Sequence, residues 1–214
     1  MQAIKEHQRR PSPGARPQPL AFFKTSLWIG SWGTKHVYET DPQTGELLRD
    51  IPAPGTPYGL AASGEELRAV VSDDGEADDR YLYRIQASGG FDSSSKVACP
   101  DLTGSHLAAD GDVLYLAQMH SRRLLVIGPD GATQRAIALP SRIGGMGFRD
   151  GTLYVIATDE EFENLRFATL DVSSEQGKIA EIGVIPFDAR SLAFDGTAWW
   201  TCHREASEIV SFTV

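Results

Sequence analysis

The sequence predicts an all-β fold: a five-bladed β-propeller with four antiparallel strands per blade, the last blade closed by an N-terminal strand. Three observations predict it. First, an apolar segment recurs five times, starting at Leu20, Leu60, Leu107, Met146 and Leu192, and the starts lie 40, 47, 39 and 46 residues apart. A period of roughly 40–50 residues marks a stacked or radial repeat. Second, the internal spacing is fixed. The residue after each start is small (Ala21, Ala61, Ala108, Gly147, Ala193), and eight residues after each start stand Trp28, Arg68, Tyr115, Tyr154 and Trp200. Third, each unit breaks into four short β-branched or aromatic runs bounded by Gly, Asp and Pro, with no sustained 3.6-residue period, so helix should be nearly absent.

The elements follow in order. The first unit has PLAFF, LWIGSW, HVYET and LLRDI; the third has HLAAD, VLYLAQM, LLVIG and TQRAIAL; the fourth has GMGFR, TLYVIAT, LRFATLD and KIAEIGVI. The blades start near residues 18, 57, 104, 143 and 189 of one domain spanning 1–214. The small residue is expected where first strands converge on the axis and nothing larger than Ala fits. The last unit (RSLAFDG, AWWTCH, EIVSFTV) ends one strand short. The outer strands end near Pro54, Pro100, Pro140 and Pro186, six or seven residues before the next start, and Pro13 lies seven before Leu20. Residues 1–13, with a strand around Ala3 to Arg10, are therefore expected to close the ring, which removes an exposed edge.

Bulk properties exclude several classes. The net charge is −9 and the basic residues are scattered, against nucleic acid and anionic membrane surfaces. No segment approaches the ~20 apolar residues of a membrane span, and the N-terminus lacks a secretory apolar run. Cys99 and Cys202 occupy different points of the repeat, so a disulfide is not expected, and two reduced thiols fit a cytoplasmic protein.

The phrase VYETDPQTGELL runs from Val37 to Leu48, with degenerate forms at LVIGPDGATQ and ATLDVSSEQGKI. It resembles the strand–Asp–Pro–x–Thr–Gly hairpin of the YVTN, quinoprotein-like, virginiamycin-lyase-like and glutamine-cyclotransferase-like propellers. Asp, Pro and Gly serve turn geometry there, so the resemblance implies architecture. Those families differ in blade number and activity, and no catalytic motif carries over residue by residue.

Candidate site residues come from slots that the repeat makes equivalent and one blade fills differently. One residue before each start stand Pro19, Gly59, His106, Gly145 and Ser191; His106 is the bulky exception and is expected to point at the axis. Two before stand Gln18, Tyr58, Ser105, Gly144 and Arg190, and four before stand Arg16, Thr56, Thr103, Arg142 and Asp188. Past the second strands come Ser31, Val71, Gln118, Ala157 and His203, and two further on Gly33, Asp73, His120, Asp159 and Glu205. His106, His203 and His120 are the candidate catalytic residues, since imidazole transfers protons near neutral pH. Arg142, Arg190, Tyr58, Trp32, Gln118 and Asp73 are the candidate substrate-binding residues, the arginines holding an anion. Trp32 differs from Ser72, Met119, Thr158 and Arg204 at the same phase and is expected to wall a pocket, whereas Trp28 and Trp200 belong to the core.

The set suits a lyase, isomerase or cyclase acting on a small anionic molecule without a cofactor. The competing reading is a non-catalytic scaffold meeting a protein partner, with His106 plugging the channel through a bond to Ser105 or Thr103. A metal-dependent, lactonase-like hydrolase is the second alternative. A divalent metal is not favoured, because the axial slots offer no carboxylate to a hard cation. The acidic run from Asp73 to Asp79 lacks EF-hand spacing and reads as a solvated loop. A lectin is disfavoured because the tryptophans do not repeat in every blade.

Overall fold

In the computed structural model, residues 2–73, 79–86 and 89–214 are described; most of the acidic run after Asp73 lies outside them. Five sheets form the five blades. Their inner strands, Pro17–Phe23, Thr56–Ser63, His106–Asp110, Arg142–Arg149 and Ala189–Phe194, touch in ring order, the fifth returning to the first. Among the described residues the helical content is one 3-10 turn, Pro100–Leu102, and no helix is long and apolar enough to cross a membrane. Both cysteines are free and buried.

The closing strand is Lys5–Pro11, antiparallel to Glu208–Thr213 in the fifth blade, with Lys5 opposite Thr213 and Pro11 opposite Glu208. The chain does more than close that blade. Gln2–Ala3 crosses to the fourth blade and pairs in parallel with its outer strand, Gln2 opposite Gly183 and Ala3 opposite Val184. The N-terminus thus ties two blades together.

The DPQTG phrase is a turn, as its composition implies. The Asp41 carboxylate accepts the Gln43 and Thr44 amides at 2.7 and 2.9 Å, and Gly45 takes φ +79°. Such Asx contacts satisfy turn amides locally.

The repeat's small residue stands where neighbouring blades meet at their narrowest. Side chains stand perpendicular to a sheet, and each blade is radial, so its side chains point at neighbouring blades and not at the axis. Leu60 packs with Ala21 and Trp28 across the seam between the first and second blades, while Ala61 faces Leu107 in the next seam. Seams are tightest near the axis. A methyl on Gly147, the small residue of the fourth blade, would sit 2.7 Å from the Leu192 carbonyl oxygen, and one on Gly145, two residues earlier on the same side of the strand, 2.6 Å from the Ser191 carbonyl carbon. Trp28, Trp200, Tyr115 and Tyr154 fill the wider part of these seams, each large apolar side chain contributing roughly 1.5–3 kcal/mol on burial. Arg68, the polar member of that series, is buried and donates to the Pro129 carbonyl at 2.9 Å, stapling the second blade to the third.

Candidate functional site

Strand pairing at the axial mouth is irregular in four blades and regular in one. The first two strands lose register between Pro17 and Leu20, Pro57 and Gly59, Ile143 and Gly145, and Arg190 and Ala193. Bulges of this kind re-aim side chains and cluster next to sites. Here they coincide with Gln18, Tyr58 and Arg190 lining the mouth. The third blade pairs regularly from His106 onward, and the Pro100–Leu102 turn before it holds Asp101 and Leu102 at φ +55° and +54°.

The mouth is a cavity of about 440 Å³. His106, His120, Arg190, Tyr58, Trp32 and Gln118 all line it. His203, Arg142 and Asp73 do not. His203 packs on Phe187, 5.0 Å between ring centres, and its Nδ1 lies 2.9 Å from an Arg9 nitrogen and 3.5 Å from Glu208. It therefore joins the closure of the fifth blade. Arg142 donates to the Glu160 carbonyl at 2.8 Å within its own blade. Asp73 pairs with Lys96 at 2.5 Å and accepts from the Tyr83 hydroxyl at 3.3 Å.

Two repeat phases each supply several residues of the wall. One is two residues before each start (Gln18, Tyr58, Ser105, Arg190); the other is five past the Leu or Trp (Trp32, Met119, Arg204). Arg204 was visible at the Trp32 phase but stood only as background to Trp32. Gly144 leaves its slot empty, and Phe162, a loop residue at φ +62°, approaches it: a methyl there would lie 3.5 Å from the Phe162 ring. Loop packing of this kind leaves no periodic signal. Arg80, Asp101 and Arg123 add to the wall from positions outside the repeated slots.

His106 is buried, yet its Nδ1 has no hydrogen-bond partner, and among the described residues neither Ser105 nor Thr103 bonds the ring. It faces the seam, as Ala108 does on the same side of its strand, and reaches the cavity there. Burial, followed by the nearby charges of Arg190 and Arg204, pushes its pKa down to about 3.

Aromatic rings and guanidiniums alternate around the mouth. Arg204 lies 3.7 Å over the Trp32 ring, Arg80 3.8 Å over Tyr58 and Arg190 4.0 Å over Phe162. The Trp32 and Tyr58 centroids are 4.7 Å apart. Three of the guanidiniums have carboxylates: Arg80 with Asp79 at 3.0 Å, Arg123 with Asp101 at 2.5 Å and Arg190 with Asp188 at 2.7 Å. Gln118 braces the third-blade side, donating to the Pro100 carbonyl at 2.8 Å and accepting from Arg123 at 2.7 Å. Arg204 is half-buried and, among the described residues, makes no ion pair. Burial, then Arg190 and Arg16, brings its pKa down to about 10. No three His, Cys, Asp or Glu side chains converge among the described residues.

No protein-family model and no curated protein matches the chain. Solved structures do. Glutaminyl cyclase from Myxococcus xanthus superposes with a TM-score of 0.74 at 12% identity, covering 99% of this chain and 96% of that one. A Thermus thermophilus protein described as an oxidoreductase (glucose dehydrogenase) gives 0.66 at 10% identity, covering 99% and 100%. Virginiamycin B lyase from Staphylococcus aureus gives 0.56 at 15% identity, covering 96% and 68%. The resemblance to the cyclase, lyase and quinoprotein-like propellers holds for the fold.

Proposed function

We propose that this propeller binds a small anionic molecule at its axial mouth and performs proton-transfer chemistry on it, of lyase, isomerase or cyclase type, without a cofactor. The observation that carries the reading is His106: a buried imidazole with an unpartnered nitrogen, on a cavity shared with Arg190 and Arg204. A buried polar atom left unpaired costs stability, so its retention points to a ligand-facing role.

The charge state fixes the direction of proton transfer. With its pKa at about 3, His106 is neutral at pH 7 and acts as a base. The free imidazole is a weak one. An anion beside Arg190 and Arg204 offsets two of the three causes that depress it, moving it toward the range where general-base catalysis works best. The solved neighbours lend the reaction class: a cyclase, and a lyase of which a histidine-to-alanine variant is described as catalytically inactive. The test is a thermal-shift screen of small anions and divalent metals, with turnover of each hit followed by NMR. Anions should stabilise the protein, and His106→Asn should retain binding and lose turnover. Stabilisation by metals alone would favour the hydrolase alternative, and a screen without hits the scaffold.

A further inference from the structure

We infer that the mouth selects a singly charged carboxylate carrying a small apolar body, and that Arg204 is the residue that imposes this choice. The inference rests on the anion-site reading above and narrows it. Four guanidiniums line the mouth, those of Arg80, Arg123, Arg190 and Arg204. Arg80, Arg123 and Arg190 each have a carboxylate within ion-pair distance, at 3.0, 2.5 and 2.7 Å. Arg204 has none among the described residues. Its backbone amide bonds the Asp188 carbonyl at 3.1 Å, but its guanidinium is left against the Trp32 face.

The other titratable groups at the mouth do not change the count. His106 is neutral at pH 7. Tyr58 is held protonated, its pKa raised by burial. His120 is exposed at the rim, and Asp188, which faces Arg190, is already paired. One uncompensated positive charge therefore remains in a partly desolvated space. A monoanion neutralises it. Arg16, 5.7 Å over the same Trp32 ring, is exposed to solvent and lies outside the cavity lining, so the second negative charge of a dianion would have no cation inside the mouth to meet it, and burying an unpaired charge is strongly unfavourable.

The apolar requirement comes from the same wall. Trp32, Tyr58, Phe162 and Met119 supply its non-polar surface. A cavity of about 440 Å³ takes a molecule of roughly aromatic-acid size.

Two probes with the same ring separate charge from shape: benzoate with one carboxylate and phthalate with two. Binding of both to the full chain is measured by calorimetry at pH 7, alongside Arg204→Gln. Benzoate should bind roughly tenfold or more tightly than phthalate, and Arg204→Gln should lower benzoate affinity by a similar factor. The variant's melting temperature without ligand should be unchanged or higher, because an uncompensated buried charge is removed. Phthalate binding as tightly as benzoate, with dependence on Arg204, would overturn the selectivity while leaving the anion site standing. A large fall in the ligand-free melting temperature would make Arg204 a structural residue and overturn its role. Binding of neither probe would overturn the anion reading and this inference together.

Discussion

The third and fifth blades fill the same slot in opposite ways. In the fifth, Ser191 accepts the Leu20 amide at 3.0 Å and donates to the Leu20 carbonyl at 3.3 Å, so it sews the ring shut. Thr201 supports that strand through the Arg190 and Ser191 carbonyls, at 3.1 and 2.9 Å. His203 is drawn into the Arg9–Glu208 cluster on the closing strand. In the third blade, His106 is equally buried but leaves its Nδ1 unbonded. Buried polar groups are nearly always satisfied. The contrast therefore separates polar groups that hold the ring from one that does not.

The largest expected effect breaks the fifth-blade side of this contrast. Deleting residues 1–12 removes the Lys5–Pro11 ladder and both ion pairs of Arg9, with Glu6 at 2.7 Å and Glu208 at 2.6 Å. Most side chains of that strand are exposed, so its contribution lies mainly in backbone pairing and a covered edge. A loss of about 3 kcal/mol would lower Tm by roughly 6–12 °C. Calorimetry of the truncated chain checks this; an unshifted transition would mean that the strand adds nothing to the ring.

A second experiment reads the third-blade side through pH. The native His106 pKa lies at about 3, against roughly 6.5 in an unfolded chain. Below pH 6.5 the unfolded chain takes up a proton that the native imidazole refuses, so acid favours unfolding. The loss approaches about 1.4 kcal/mol per pH unit and ends near the native pKa. Carboxylates add slopes of their own, so the comparison is between wild type and His106→Asn. Between pH 6.5 and pH 4.5 the urea midpoint should fall further in wild type, by about 2 kcal/mol of stability. Parallel pH dependences would show that His106 keeps an ordinary pKa.

What the sequence revealed follows from what repeats. The seam residues recur because every blade meets the same neighbour, so Leu20, Ala21 and Trp28 announced the fold through their counterparts. Closure by the N-terminus was legible from a missing strand and from Pro13 in phase. The parallel pairing of Gln2–Ala3 was not, since two residues carry no pattern. The mouth was legible in part: His106, Tyr58 and Arg190 stood out in slots that do reach it. The direction of the slot was misread, because a radial blade aims side chains at seams. His203 and Asp73 were drawn off by partners distant in sequence, Arg9 and Lys96. Phe162 arrives from a loop and answers to no phase.

The smallest effect sharpens the contrast most. Ser191→Ala and His106→Ala change one slot in two blades. Removing the Ser191 hydroxyl strands the Leu20 amide inside a seam and should cost roughly 1–3 kcal/mol. Removing the His106 ring breaks no hydrogen bond among the described residues, because none is made to it. It also removes a buried imidazole whose charged form the site disfavours. What is lost is packing at the edge of a cavity that already exists, so the cost at pH 7 should stay below about 1 kcal/mol. Chemical denaturation of the two variants beside wild type gives the comparison directly. His106→Ala destabilised as much as Ser191→Ala, and still binding the anions that stabilise wild type, would make the imidazole a plug. The expected result is the reverse: a nearly unchanged midpoint, and loss of turnover on any ligand the mouth accepts.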